Sequence, residues 1–153
     1  MDSDAQFFII GMLMLEKDDI IQIVENFDFP RDHYWVTAGA ALVLHGVKHS
    51  TSDIDIGCTS ALFEALIKRG HPTKQMSDGT RTIELAHVEL LEEWRVDQIV
   101  YLRTIPVASL DDIIRQKREL GRAKDQADIL LIERFQREQS SSIRRRKPQC
   151  ASA

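Results

Sequence analysis

The pattern of apolar and polar positions predicts alternating strands and helices over the first half of the chain. Residues 34–37 (YWVT) are aromatic and β-branched, and residues 53–57 (DIDIG) alternate polar and apolar, so both segments are predicted strands. Between them, Gly39 and the apolar run at 40–44 predict a glycine turn followed by a short helix. A further helix with one apolar face is predicted at 60–70.

The second half of the chain has the same mixed character. Strands are predicted for four segments, residues 81–85, 88–91, 96–102 and 105–107. Ser109 with Asp112 three residues later is a capping-box pattern that predicts the start of a helix, and a last helix is predicted at 125–135. The polar stretch at 71–80 is interpreted as a loop. Strands and helices in this order predict an α/β or α+β domain.

The composition fits one folded domain. The chain has 153 residues, 43% hydrophobic and 29% charged, and a chain of this size buries roughly 70% of the surface that it exposes when unfolded. It therefore needs no disulfide to fold, and Cys58 and Cys150 are predicted to be reduced thiols. We expect an N-terminal helical and apolar segment at 1–33 that packs on the domain or on a second copy, a domain at 34–136, and a disordered basic tail at 137–153.

Charge and hydropathy exclude two classes of protein. The formal net charge of -4 argues against a general nucleic-acid coat, which needs an excess of Lys and Arg along one face. The apolar run at 7–15 is too short to span a bilayer, and Asp2 and Asp4 precede it where a signal peptide has Lys or Arg. We therefore predict a cytoplasmic protein with no membrane partner.

Asp53 and Asp55 are the most informative polar residues. Two carboxylates separated by one residue on a strand lie on the same face, because side chains alternate with a period of two. They can hold one Mg²⁺, since this ion takes one or two carboxylates together with the phosphate oxygens of a nucleotide. An Asp-x-Asp pair on a solvent-facing strand also occurs without any function, so the pair alone does not decide.

The segment before this pair adds a second candidate feature. A strand, Gly39 and the N-terminus of a short helix together place backbone N–H groups and a positive helix end where a phosphate can bind. The structural alternative is that Gly39 is only a turn residue and that Ala40 and Ala41 allow close helix packing.

Two stretches of the chain resemble one family. Residues 39–56 (GAALVLHGVKHSTSDIDI) and residues 105–132 (IPVASLDDIIRQKRELGRAKDQADILLI) resemble, in order and spacing, the minimal nucleotidyltransferases of the DNA polymerase β superfamily. The resemblance covers about residues 34–133. It implies the nucleotidyltransferase fold, with a mixed β-sheet flanked by helices in a single domain.

The resemblance also implies a set of ligand-binding residues. It makes Asp53 and Asp55 ligands of Mg²⁺, with an NTP as the substrate. Many family members have Gly-Gly or Gly-Ser where this chain has Gly-Ala, a change that keeps the backbone N–H groups and loses a serine hydroxyl. Lys48 either contacts a phosphate or forms an ion pair with Asp53. The residues expected at the nucleotide are Gly39, Ala40, Lys48 and Thr51.

Active family members have a third acidic residue on a neighbouring strand. That residue binds metal and can act as the base that activates the acceptor hydroxyl. Glu89 is the first candidate for the third catalytic and metal-binding carboxylate, because it follows the strand at 81–85 in the order that the family implies. Glu84 and Asp97 are the alternatives, and each of the three is equally explained as an outward residue of a half-buried strand.

The activity implied by the resemblance is Mg²⁺-dependent transfer of a nucleoside monophosphate from an NTP to an unknown acceptor, which is a small molecule, a protein or an RNA. The alternative is a catalytically weak member that acts as the antitoxin of a toxin partner or as a regulatory binding subunit. A homodimer is a further expectation for its assembly. The small size of the chain favours the alternative, because it leaves little room for a separate acceptor-binding domain.

Two charged groups lie outside these motifs. The cluster of Arg122, Lys124, Asp125 and Asp128 either docks the C-terminal helix or reaches an acceptor, and docking is the preferred interpretation. The RRRK run at 144–147 is interpreted as part of a solvated tail, with an RNA or acidic partner as the alternative.

Overall fold

The computed structural model describes residues 14–146, with side chains described for residues 14–143. Residues 1–13, which hold most of the apolar run at 7–15, and residues 147–153 lie outside this part of the chain. The chain divides into two compact units, the first ending at Ile113 and the second beginning at Ile114. The predicted boundaries at residues 33 and 136 stay predictions.

The first unit holds the strands and most of the helices. Its strands are β1 (Leu15–Glu16), β2 (Tyr34–Thr37), β3 (Ser50–Thr51), β4 (Ile54–Cys58), β5 (Lys74–Gln75), β6 (Arg81–Leu85), β7 (Val88–Glu92), β8 (Ile99–Leu102) and β9 (Ile105–Ala108). Its helices are α1 (Lys17–Glu25), α2 (Ala38–His45) and α3 (Ser60–Lys68), with a 3-10 turn at Arg31–His33. Helix α4 (Leu110–Leu120) crosses the boundary between the units, and α5 (Ala123–Arg146) belongs to the second unit.

Seven of these strands form one mixed sheet in the order β5-β6-β7-β4-β2-β9-β8. Strand β4 is parallel to β7, and β2 is parallel to β9, whereas the other neighbours in the sheet are antiparallel. Strands β1 and β3 form a separate antiparallel pair. Helices and a mixed sheet in one chain confirm the predicted α+β fold class.

Alternation along β4 separates an apolar face of the sheet from a polar one. Ile54 and Ile56 are fully buried, and so are Val36 on β2 and Leu90 on β7. Burying each such side chain contributes roughly 1.5–3 kcal/mol. Asp55 lies between the two isoleucines and is half-buried on the opposite face. The apolar face therefore fixes the orientation of Asp55.

Strands β6 and β7 occupy almost the residues predicted for them, and β2 and α2 follow the predicted pattern closely. One local prediction is corrected, because Asp53 precedes β4 instead of lying on it. Helix α3 is capped by Thr59, whose side chain accepts a hydrogen bond from the Leu62 N–H at 3.3 Å. Strand β5 was not predicted, since two residues carry no periodicity.

The tail expected to be disordered from residue 137 is helical as far as Arg146. The reason is that no Gly or Pro interrupts residues 123–146, and Gln, Glu and Arg are good helix formers. Arg134 and Glu138, four residues apart on α5, add an ion pair at 3.1 Å. Among residues 14–146, no helix is long and apolar enough to cross a membrane.

The charged cluster of the second unit is a partly buried network that ties α5 to the end of α4. The Lys117 Nζ lies 3.4 Å from Asp125 and 3.0 Å from Asp128, and the Arg122 Nε donates to Asp125 at 2.6 Å. Asp125 has no exposed surface, and the hydrogen bond from Arg122 lowers the pKa of its carboxyl. This geometry supports the structural interpretation of the cluster.

Cys58 is a buried free thiol on β4. Burial, followed by the charges of Glu92 and Glu93, raises the pKa of Cys58 to about 12. The thiolate is therefore not populated at neutral pH, and we expect the side chain to be unreactive. Cys150 lies outside the described residues.

Candidate active site

A row of polar side chains crosses the polar face of the sheet. Asp55 on β4 pairs in register with Thr37 on β2 and with Glu89 on β7, and Glu89 pairs with Glu84 on β6. Residues directly opposite each other in adjacent strands share a face, and neighbouring strands lie about 4.8 Å apart. We call the three carboxylates Asp55, Glu89 and Glu84 the acidic row.

The sheet order separates the three candidates for the third carboxylate. Glu89 is directly next to Asp55, and Glu84 is one strand further away. Asp97 precedes β8, which lies on the other side of Asp55, beyond β2 and β9. Its carboxylate accepts a hydrogen bond from Arg95 at 3.3 Å, and its backbone N–H donates to Asp112 at 3.0 Å. The register therefore favours Glu89, with Glu84 second.

Asp53 is exposed and precedes the acidic row in the chain. Its Oδ1 lies 3.4 Å from the Ser52 hydroxyl. The charge of Asp53 acts on Glu89, so the two carboxylates share one electrostatic environment. The predicted trio of Asp53, Asp55 and Glu89 is thus brought to one region of the sheet, although only Asp55 and Glu89 are strand partners.

The environment of Glu89 is unfavourable for a carboxylate. Burial raises the pKa of Glu89, and the charges of Glu84 and Asp53 raise it further, whereas Lys74 acts in the opposite direction. Like charges directly across a strand pair destabilise a sheet. The carboxylates of the acidic row therefore repel one another, and Lys74 offsets part of that repulsion.

Helix α2 begins directly next to the acidic row. Thr37, the partner of Asp55, is the residue that precedes the first helical residue, Ala38. The first N–H groups of this helix have no partner within it, and they carry the positive end of the helix dipole. Ala40 is fully buried, and its methyl side chain has no polar atom. Only its backbone N–H can act as a hydrogen-bond donor to a ligand. Gly39 and Ala38 are half-buried.

Gly39 is required by a close approach instead of by a turn. A Cβ at this position would lie 2.6 Å from the Oγ1 of Thr51, and the backbone of Gly39 has no positive φ. The left-handed residue is its neighbour Ala38, with φ 53°, a conformation that costs a non-glycine residue about 1 kcal/mol. The interpretation of Gly39 as a turn residue is therefore corrected, and sequence analysis missed Ala38.

Thr51 and Lys48 have different surroundings from those of the acidic row. Thr51 is buried, and its hydroxyl donates to the backbone carbonyl of Asp53 at 3.3 Å, so it fixes the approach to β4. Lys48 is half-buried at the opposite end of α2 from Gly39. There it lines a groove of about 520 Å³ whose lining includes none of the other predicted site residues. The roles of Thr51 and Lys48 at a nucleotide remain predictions.

Gly57 and Trp35 form the surface next to the acidic row. They are partners on β4 and β2, and a Cβ on Gly57 would overlap the indole ring of Trp35. The indole N–H donates to the backbone carbonyl of Trp94 at 3.0 Å. The glycine that ends the DIDIG motif is therefore explained by the ring that covers it, a contact that only the strand register reveals.

Lys74 is a second residue that sequence analysis missed. It lies on β5, and its Nζ is 3.3 Å from the Oε1 of Glu84. No sequence signal marks it, because it stands in a polar stretch 19 residues from the Asp-x-Asp motif. The β5–β6 pairing brings its charge to the end of the acidic row.

The donor set fits Mg²⁺ only in part. Among residues 14–146, no three His, Cys, Asp or Glu side chains are grouped closely enough to hold a metal ion by themselves. Asp55 and Glu89 provide hard oxygen donors on adjacent strands, and Asp53 adds a third that is exposed. Mg²⁺ commonly binds through one or two carboxylates and completes its shell with water and phosphate oxygens. Mg²⁺ binding by these carboxylates therefore stays a prediction.

Comparison with known proteins adds one similar structure. No family model matches the chain, and no curated protein matches it. A crystal structure from Thermotoga maritima, described as that of a "putative nucleotidyltransferase", is 19% identical to this chain, covers 79% of it and 90% of its own length, and superposes with a TM-score of 0.48. At that score and identity, the similarity assigns no function to this chain.

Proposed function

We propose that this protein is a Mg²⁺-dependent nucleotidyltransferase that moves a nucleoside monophosphate from an NTP to a hydroxyl or amine of an acceptor and releases pyrophosphate. The observation that carries the proposal is the register that places Glu89 beside Asp55, directly next to the N-terminus of α2. Sequence resemblance to minimal nucleotidyltransferases supports it through the same residues. The acceptor is a small molecule, a protein or an RNA.

Each part of the site has a task in this reaction. The N–H groups of Gly39 and Ala40 bind phosphate oxygens of the NTP at the positive helix end. Asp53 and Asp55 would hold Mg²⁺, and the ion would supply positive charge near the phosphates of the NTP. Glu89 binds the same ion or accepts the acceptor proton, and its raised pKa brings it closer to the range of a general base.

Replacement of Asp55 by Asn tests the proposal. We expect at least a 100-fold loss of NMP transfer, measured with each labelled NTP, Mg²⁺ and cell extract as the source of acceptor, because a preorganised charge interaction is removed. Asp53→Asn should act in the same direction.

Asp32→Asn is the matched control, since this aspartate is 81% exposed in the turn before β2 and lies outside the site. Circular dichroism should show the same fold in all three variants. Full activity in a folded Asp55→Asn variant would contradict the proposed mechanism.

A binding function is the second candidate, and one observation favours it. No complete three-ligand metal group exists among residues 14–146, so the site could bind a nucleotide without turnover. A catalytically weak protein of this kind would serve as the antitoxin of a toxin partner or as a regulatory subunit. Mg²⁺-dependent NTP binding without pyrophosphate release in any extract would support this candidate, whereas robust turnover by the isolated protein would exclude it.

A further inference from the structure

The two edges of the seven-stranded sheet are unequally protected against pairing with another strand. Strand β5 at one edge consists of two exposed polar residues, Lys74 and Gln75, and a lysine on an edge strand discourages such pairing. Strand β8 at the other edge has the sequence IVYL, without charge, proline or glycine, and its Tyr101 is 58% exposed. Among residues 14–146, no strand pairs with the outer side of β8. This side therefore presents backbone groups to a further strand.

The backbone groups that face the open edge belong to Ile99 and Tyr101. The Ser109 N–H donates to the Gln98 carbonyl at 3.1 Å, so Gln98 is hydrogen-bonded across the β8–β9 pair. Hydrogen-bonded and non-bonded residues alternate along an antiparallel pair, which makes Ile99 and Tyr101 the non-bonded residues of β8. Pro106, which has no N–H to donate, accordingly lies opposite Tyr101. The N–H and C=O groups of Ile99 and Tyr101 thus point away from β9.

We infer that this edge is the interface of a homodimer, in which the β8 strands of two copies pair antiparallel about a two-fold axis at Val100. Self-pairing of one surface is the isologous arrangement of a two-fold dimer. In this register, Ile99 lies opposite Tyr101 of the partner subunit, so that the outward-facing N–H and C=O groups of the two strands meet. The interface does not depend on the proposed function.

The charges at the two ends of β8 favour this partner and this register. Asp97, 58% exposed, lies two residues before the strand, and the exposed Arg103 follows it directly. Because both are three residues from Val100, the pairing brings Asp97 beside Arg103 of the partner subunit. Asp97 also accepts a hydrogen bond from Arg95 of its own chain at 3.3 Å, and a carboxylate can accept from several donors. Strand β8 is therefore complementary to itself, which favours a second copy over an unrelated chain.

The side chains of β8 fit the same pairing. Ile99 and Tyr101 are two residues apart and lie on one face of the strand, so the dimer gains two cross-strand contacts between an aromatic and a β-branched side chain. Val100 meets its own copy on the opposite face. Because a pair of short edge strands buries little surface, we expect a weak dimer with a dissociation constant of about 1–100 μM.

Charge reversal at the ends of β8 tests the inference, with the mass of the purified full chain measured by analytical ultracentrifugation at roughly 1 μM to 1 mM protein. Arg103→Glu and Asp97→Lys each place two like-charged pairs in the homodimer, so each should weaken dimerisation about tenfold or more. The double variant Asp97→Lys/Arg103→Glu should dimerise as the wild type does. An equimolar mixture of the two single variants should form a heterodimer, because it contains only pairs of opposite charge.

Asp32→Lys and Arg69→Glu are the matched controls, because both residues are exposed and lie away from β8 in the chain. Both variants should dimerise as the wild type does, and circular dichroism should show the same fold in all variants. A wild-type protein that stays monomeric at about 1 mM would overturn the inference, and would leave the edge to another segment of the chain or to another protein. A dimer that is insensitive to both charge reversals would overturn it as well.

Val100→Cys tests the register. Non-bonded partners in an antiparallel pair have Cα atoms about 4.5 Å apart, which is within the range of a disulfide. In a Cys150→Ser background, where the other thiol is the buried Cys58, oxidation should therefore join two copies at position 100. Tyr101→Cys in the same background is the control, because position 101 is about 7–8 Å from its own copy. Equal cross-linking of the two variants would contradict pairing about Val100.

Discussion

The β6–β7 hairpin has two glutamates in opposite electrostatic situations. At one end, the Arg81 guanidinium donates two hydrogen bonds of 2.7 Å to Glu92 and a third of 2.7 Å to Glu64. At the other end, Glu84 lies directly opposite Glu89, with Asp55 on the far side. The paired end is explained by stability, whereas the like charges of Glu84 and Glu89 repel each other and are offset only in part by Lys74.

The pKa values of the two glutamates show the same contrast. Hydrogen bonds from Arg81 lower the pKa of Glu92, and burial with neighbouring carboxylates raises the pKa of Glu89. Both residues lie on β7, three positions apart, and therefore face opposite sides of the sheet. Carboxylates with a raised pKa, such as Glu89, cluster at functional sites, and structural ion-pair networks perturb pKa values as well.

The largest effect on stability is expected from replacing the ion pairs at the Arg81 end of the β6–β7 hairpin by like charges. Arg81→Glu would place three carboxylates together and remove the guanidinium that lies 4.9 Å from the centre of the Phe63 ring. We expect the largest fall in melting temperature among the variants discussed here. The charge-swapped double variant Arg81→Glu/Glu92→Arg should recover part of the loss, and no recovery would show that packing on Phe63 outweighs the ion pair.

Glu92→Gln tests the paired end with little change of shape. The Glu92 side chain is 14% exposed and accepts a bidentate interaction, so we expect a loss of roughly 1–2 kcal/mol in the free energy of unfolding at pH 7. Urea denaturation would measure it. Because the pKa of Glu92 is lowered in the folded state, its contribution is present above the ordinary carboxyl pKa and is lost as the pH falls. pH 3 lies below the ordinary pKa of a glutamate side chain, and pH 7 lies above it. An equal loss of unfolding free energy at both pH values would contradict this explanation.

Glu89→Gln should have the opposite sign. The raised pKa means that Glu89 contributes stability below the ordinary carboxyl pKa and loses that contribution as the pH rises through the raised value. We therefore expect Glu89→Gln to stabilise the fold at pH 7 by a few tenths to about 1 kcal/mol, with the gain fading near pH 4. The same variant should lose NMP transfer. A destabilised Glu89→Gln at pH 7 would remove the contrast between the two ends.

The smallest effect is expected for Glu84→Gln. This change removes an exposed ion pair with Lys74, which is worth about 0–1 kcal/mol, and also removes the repulsion with Glu89. The two terms have opposite signs, so the melting temperature should hardly change. A large loss in thermal unfolding would show that the Lys74–Glu84 pair holds β5 in place.

Local signals explain most of the successful predictions. Strands β6 and β7 were located because their patterns are short-range, and the Ser109 hydroxyl accepts the N–H of Asp112 at 3.1 Å as the capping pattern predicts. The same reasoning missed β5 and expected disorder where α5 continues. Both errors have a common cause: two-residue strands and polar helices carry little hydrophobic periodicity.

The residues of the candidate site also fall into two groups, those that local sequence identified and those that depend on long-range contacts. Sequence alone placed Asp53 and Asp55 together, because residues two apart near one strand are close whatever the rest of the chain does. It put Glu89 first but left Glu84 and Asp97 as alternatives, and it could not find Lys74 or the left-handed Ala38. These depend on contacts between residues far apart in the chain.

The amino-acid sequence by itself determined the alternation that sends Ile54 and Ile56 into the core and Asp55 to the opposite face. Only the tertiary structure decided which carboxylate joins Asp55, because the parallel register of β4 and β7 aligns Asp55 with Glu89 across 34 residues of chain. A shift of one residue in that register would turn Glu89 to the other face of the sheet. The physical reason is that the side-chain period is local, whereas strand pairing is set by burial of the whole sheet.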